Sequence, residues 1–130
     1  MEFSVSPIAI LVSAVAMFIV GGLWYGLVFA RPWQREAGVQ DEQLTSGAAR
    51  VFAGSFVLSL LVATSLAFFI GEASVGAGAI AGALAGVTFV AAVLGIVYLF
   101  ERRSLALFAI NAGYAALTMT AMGAIIGAIQ

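Results

Sequence analysis

Four long apolar runs, at 6–29, 51–70, 76–100 and 104–129, are separated by short polar segments, and none of the runs contains Asp, Glu, Lys, Arg or His. A helix rises ~1.5 Å per residue and the hydrocarbon core of a bilayer is ~30 Å thick, so about 20 apolar residues suffice to cross it. Each run meets that length. The pattern predicts an all-α membrane protein, one domain over 1–130 with four transmembrane helices. Short connections make sequential helices antiparallel neighbours, which gives an up-down antiparallel bundle. Two helical hairpins follow trivially from four spans, and no convincing internal repeat accompanies them.

Local chemistry marks the ends. Ser6-Pro7 opens the first helix, with Ser as N-cap and Pro at a position whose N–H has no intrahelical partner. Arg31-Pro32 is expected to end it, because Pro disfavours a helical residue before it. The only extended polar segment follows, RPWQREAGVQDEQLTSGAAR at 31–50. Within it 33–37 is expected to form one helical turn stopped by Gly38, and Asp41 or Thr45 to cap the second helix. Glu72 and Ser74 mark a tight turn, Glu101-Arg102-Arg103 a short connection, and Ser104 caps the last helix.

Composition strengthens the membrane reading. The chain is 64% hydrophobic and 8% charged, against about a quarter charged in a soluble domain. Net charge is −1 with no basic run, so nothing supplies the clustered cations that nucleic acid requires. Histidine, cysteine and lysine are absent. That excludes disulfides, thiolate nucleophiles, Cys/His metal sites, Schiff bases and Ser–His pairs. No cofactor or metal is implied. The first apolar run is expected to be a retained helix and not a cleavable signal peptide, because it is too long and is preceded by Glu2 where a basic region belongs.

The charges also orient the chain. Arg31, Arg35 and Arg50 lie in the first connection, and Arg102 and Arg103 in the third. The N-terminal segment, the second connection and Gln130 carry no basic residue. Cytoplasmic loops are enriched in Lys and Arg. Residues 31–50 and 101–103 are therefore expected in the cytoplasm, with both termini outside, periplasmic or extracellular.

Candidate chemistry is sparse. Gly21-Gly-Leu-Trp-Tyr-Gly26 is followed by Trp33, and Tyr98 lies at a similar depth; the opposite ends of the helices show Phe3, Phe68 and Phe69 but neither Trp nor Tyr. Trp24, Tyr25 and Trp33 read either as a one-sided aromatic belt at headgroup level or as an aromatic-lined mouth of a site. Asn111, Tyr114 and Thr118 are spaced three and four apart, so they share one face of the last helix. Asn111 lies roughly 10 Å inside the membrane edge by helical rise. Polar groups at that depth need partners within the protein or a wet cavity. Those partners are either interhelical hydrogen bonds, to Thr88, Ser59 or a backbone carbonyl, or a ligand.

Gly78, Gly82 and Gly86 form a ladder of small residues four apart, and Gly123 and Gly127 a shorter one. Such ladders let helices approach closely. The spacing does not say whether the partner helix lies in the same chain.

Two blocks, GGLWYGLVFARPWQREAG at 21–38 and YLFERRSLALFAINAGYAALTMTAMGAIIGA at 98–128, resemble a bacterial membrane family catalogued as domain of unknown function 1761. Its pattern of an early Trp-Tyr-Gly with a later Trp, and a late acidic-or-amide, Gly, Tyr, matches Trp24, Tyr25, Gly26, Trp33, Asn111, Gly113 and Tyr114. Where that family often carries His after the late Tyr, this chain has Ala115. The resemblance implies four spans and a bacterial cytoplasmic (inner) membrane. It implies no activity.

Three function classes follow. A non-enzymatic packing or assembly module, self-associating as a homo-oligomer or joining a membrane complex, fits the glycine ladder and the lack of reactive groups. An oligomeric, uncoupled transporter or channel fits the polar face of the last helix, with no mid-membrane carboxylate to carry a proton. Binding of a lipid, quinone, pigment or other small lipophilic ligand fits Trp24, Tyr25 and Tyr114. An enzyme would have to draw its acid–base groups from Glu72, Glu101 or Tyr114, and the two glutamates lie at opposite ends of the helices.

Overall fold

The computed structural model describes residues 5–130; the expectations attached to Glu2 and Phe3 lie outside that range. Among the described residues there is no strand. Four helical spans are long and apolar enough to cross a bilayer: Pro7–Val28, Ala48–Ile70, Val75–Glu101 and Leu105–Ile129. That is the architecture of an integral membrane protein.

Span 1 is α1 (Pro7–Leu23) continued by a π-helical turn, Trp24–Val28. Ser6 Oγ accepts from the Ala9 N–H at 3.2 Å. In the wide turn the Phe29 N–H reaches back five residues to the Trp24 carbonyl, at 2.8 Å. The chain breaks at Phe29, with φ −117° and ψ 22°, and not at Arg31-Pro32. A separate helix α2 (Ala30–Ala37) begins there. Pro32 sits in its first turn, where the missing N–H would have no partner anyway. It is two turns long, more than the single turn expected, and Gly38 stops it in the left-handed conformation at φ 75°.

The expected cap of the second span is also displaced. Asp41 and Thr45 lie inside a short helix α3 (Asp41–Thr45), whose start is closed by Gln43 Oε1 accepting from the Gln40 N–H at 2.7 Å. Gly47, at φ 69°, leads into span 2, which is α4 (Ala48–Ile70) and starts three residues before Val51. Span 3 is α5 (Val75–Ala85), a second π-helical turn (Gly86–Ala91) and α6 (Ala92–Glu101). Ser74 Oγ caps it by accepting from Ala77 at 3.1 Å. Arg102, left-handed at φ 60°, closes it: the Arg103 N–H bonds the Tyr98 carbonyl and the Arg102 N–H that of Leu99, a Schellman arrangement. Span 4 is α7 (Leu105–Ile129), capped by Ser104.

Span 4 is the hub. Side chains built on Gly78, Gly82 and Gly86 would collide with the carbonyls of Gly123, Met119 and Ala115, and one on Gly127 with that of Ser74. Numbers rise along one helix as they fall along the other, so spans 3 and 4 run antiparallel in backbone contact. Lipid offers no hydrophobic drive between helices, and close packing of this kind takes its place. Span 1 also runs antiparallel to span 4: Tyr114 bonds the Met17 carbonyl at 3.1 Å, and Gln130 accepts from the Ser6 N–H at 2.9 Å. Span 2 packs on span 1, where Phe18 meets Phe52 and Phe56 edge-on. Spans 2 and 3 barely touch; α4 approaches α5, beside the turn that joins them, and makes no comparable contact with α6.

The tight core lies toward the Gln130 end, where Ala9, Ala14, Ala63, Leu66, Ala67, Met122 and Ile126 are buried. Gln130 ties that end together. Its amide nitrogen donates to the carbonyls of Ala67 on span 2 (3.2 Å) and of Gly71 just beyond it (2.7 Å), while its oxygen holds the start of span 1. Toward the arginine end the spans are joined instead by polar aromatic side chains, and the packing opens. Large side chains such as Phe69, Phe100 and Leu105 point outward, toward lipid.

Candidate functional site

The opening is a cavity of about 350 Å³, lined by residues from all four spans and by Trp33 of α2. Its polar wall comes from spans 1, 3 and 4: Tyr25, Tyr98, Asn111, Tyr114 and Thr118. Met17, Val62, Val90, Leu94, Ala115 and Met119 complete it.

Both π-helical turns border this cavity. One contributes Tyr25 and the other Val90. A π turn inserts one residue relative to an α-helix and re-aims the side chains around it, and such turns concentrate at functional sites. Here the first turn brings Tyr25 toward span 4. Its hydroxyl donates to Asn111 Oδ1 at 2.6 Å, and Asn111 Nδ2 donates to the Tyr98 hydroxyl at 2.7 Å. One amide thereby links spans 1, 3 and 4. The Tyr25 ring packs edge-on against both Trp33 (centroids 5.5 Å apart) and Tyr114 (5.2 Å).

Glycine makes room for these rings. A Cβ on Gly21 would press on the Tyr114 ring, and one on Gly113 on the Trp24 indole. Trp24 Nε1–H donates to the Ile110 carbonyl at 2.9 Å, and its ring tilts against Phe29.

Five of the six candidate residues therefore line one cavity: Tyr25, Trp33, Asn111, Tyr114 and Thr118. Trp24 does not; it packs span 1 onto span 4 beside it. The hydrogen-bonding groups of Trp24 and Tyr25 are engaged inside the protein. Thr88 and Ser59 are not the partners of the polar face. Each bonds the carbonyl four residues earlier on its own helix, as do Thr64 and Thr120. The partners are two tyrosine hydroxyls and a backbone carbonyl. Tyr98 is the residue the sequence reading left out of the site. Its depth beside Trp24 and Tyr25 was visible, but that it shares an amide with Tyr25 was not.

Thr118 differs from the other hydroxyls. It is 1% exposed, and its Oγ1 has no hydrogen-bond partner. The Tyr114 hydroxyl, whose own proton goes to the Met17 carbonyl, stands within reach of it. A buried hydroxyl without a partner costs on the order of 1–3 kcal/mol. The remedy used elsewhere in the chain, bonding the carbonyl four residues back, is not taken here.

The glycines Gly78, Gly82, Gly86, Gly123 and Gly127 form a separate feature. They lie between spans 3 and 4 and do not line the cavity.

No curated protein and no solved structure matches the chain. A family model described as protein of unknown function (DUF1761) matches residues 8–127. That stretch takes in all four spans and every residue of the cavity, and the chain belongs to this family.

Proposed function

We propose that the protein binds a small lipophilic molecule in the cavity between its four spans. The observation that carries this reading is the cavity itself, about 350 Å³ of mostly apolar wall on which the Tyr25–Asn111–Tyr98 hydrogen-bonded group converges. Ligand sites are typically ~300–1,000 Å³, mostly apolar, with a few convergent polar groups. This cavity has that character, and it lies within a membrane where the available solutes are lipophilic. The arginine end faces the cytoplasm, by the rule that places Arg-rich connections inside. Both termini then lie outside a bacterial cytoplasmic membrane.

Assembly with a second copy or another membrane protein would have to use the outward faces, because Gly78, Gly82 and Gly86 are covered by span 4 of the same chain. The glycine ladder therefore lends self-association no support.

The test is native mass spectrometry of protein extracted in polymer-bounded lipid discs. A stoichiometric small molecule should accompany the wild-type chain. It should be lost from Leu94→Trp, which fills the cavity from span 3, while helicity is retained. Equal retention by both proteins, or none by either, overturns the reading. Solute flux through vesicles containing this chain alone would move the assignment to a channel.

A further inference from the structure

The hydrogen-bond inventory of the cavity defines what it lacks. Three donors are consumed within the protein: Trp24 Nε1–H on the Ile110 carbonyl, the Tyr114 hydroxyl on the Met17 carbonyl, and the Tyr25 hydroxyl on Asn111 Oδ1. Asn111 spends one amide proton on the Tyr98 oxygen. Two protons are left over on the wall: the second amide proton of Asn111 and the phenolic proton of Tyr98, Thr118 Oγ1 being closed off from the space and set beside the Tyr114 oxygen. The count survives rotation of the Asn111 amide. Exchanging its oxygen and nitrogen makes Tyr98 the donor and Tyr25 the acceptor, and one phenolic and one amide proton are still unspent.

Among the described residues no charged side chain lines the cavity. A carboxylate or phosphate there would be an unpaired charge inside the membrane, and an ammonium would find no counter-ion. An aliphatic alcohol would bring a further proton to a wall that already has a surplus. The complementary group is a neutral acceptor with two lone pairs, a carbonyl oxygen. The rest of the wall asks for rings. Tyr25, Tyr114 and Trp33 already pack edge-to-face with one another around the space, and an aromatic body extends that packing. Access fits the same class. The cavity residues contributed by the two spans that barely touch, Val62 on span 2 and Val90 and Leu94 on span 3, are apolar.

We infer that the cavity takes a neutral, ring-bearing lipophile that presents a carbonyl oxygen, as an aryl ketone or quinone does, to the two unspent protons of Asn111 and Tyr98. This inference rests on the ligand-binding reading above and narrows it.

The test uses benzophenone, itself a neutral aryl ketone, which on irradiation inserts into nearby C–H bonds and marks where it sits. The purified full chain in lipid discs is irradiated, and adducts are mapped by peptide mass spectrometry. Competitors are fluorenone and fluorene, which differ only at the carbonyl. Adducts should concentrate on Met17, Val62, Leu94 or Met119. Fluorenone should suppress them at about one-tenth the concentration that fluorene needs, the ratio expected for one to two net hydrogen bonds. In Tyr98→Phe, which removes one of the two protons, the ratio should fall to within about threefold. Asn111→Leu, which removes the other, is read the same way if Tyr98→Phe folds poorly. Adducts in the cavity that fluorene and fluorenone suppress equally would overturn the carbonyl assignment and leave lipophile binding standing. Adducts spread over the outward faces and absent from the cavity would overturn both.

Discussion

The Tyr25 hydroxyl and the Asn111 side chain, on spans 1 and 4, are joined by a 2.6 Å hydrogen bond. Asn111 passes the connection to Tyr98 on span 3. The bond therefore couples three spans at the end where apolar packing is thinnest. Tyr25→Phe and Asn111→Leu should each lower stability, and a double-mutant cycle should return a coupling of ~0.6 kcal/mol, at most ~1.7 kcal/mol, the range for such bonds inside membranes. Unfolding in mixed detergent, followed by far-UV circular dichroism, measures it. Additive effects of the two substitutions would show that the bond does not couple the spans.

Thr118→Val should raise stability. It replaces a hydroxyl that has no partner with a methyl of similar size, and relieving that burial is worth about 1 kcal/mol. A fall in stability in the same unfolding assay would mean that Thr118 Oγ1 is satisfied in the folded protein.

Gly82→Leu should be severe. Even a single Cβ at Gly82 overlaps the Met119 carbonyl, and backbone cannot move aside as a side chain can. The loss should exceed the 1–3 kcal/mol typical of overpacking, or the chain should fail to fold. Ile80→Leu, on the exposed face of the same helix, is the control and should change stability by less than ~0.5 kcal/mol. Equal behaviour of the two variants would separate the glycine ladder from folding.

Gln130→Ala should loosen the opposite end. Three hydrogen bonds from one amide hold spans 1, 2 and 4 there. Their loss should cost ~1–3 kcal/mol and speed amide exchange at Ser6 and around Gly71. Unchanged exchange at both places would mean the clasp is not maintained in a bilayer.

Orientation is read by single cysteines in a chain that has none of its own. Cysteine in place of Gln40 or Arg103 should be labelled by an impermeant maleimide only after the cytoplasmic side is opened, and cysteine in place of Glu72 in intact cells. Labelling of Gln40→Cys from outside would invert the topology.

The spans were legible because length and the absence of charge decide them, and the caps at Ser6 and Ser104 because each acts through its own neighbours; Ser74, read as a turn residue, also caps span 3. The break at Phe29 was not legible. Pro32 is an obvious helix breaker, yet in the first turn of α2 it breaks nothing. The two π turns leave no mark in composition; they are visible only as wide hydrogen bonds such as Phe29 to Trp24. Of the site, Asn111, Tyr114 and Thr118 could be gathered from helical spacing alone. Joining them to Tyr25 required knowing which spans are neighbours. Singling out Thr118 required both burial and hydrogen-bond geometry, which the sequence does not carry.

The glycine ladder has a mechanical consequence. Spans 3 and 4 meet backbone to backbone at successive levels from Ser74–Gly127 to Gly86–Ala115, with no layer of side chains between them to slide or shear. They form one stiff plate. Span 2 is attached along span 1 and clasped at the Gln130 end, and it is nearly free of span 3. Span 1 is hydrogen-bonded to that plate at the arginine end, so breathing of the cavity falls to span 2, with the clasp as pivot and the arginine end as its free edge.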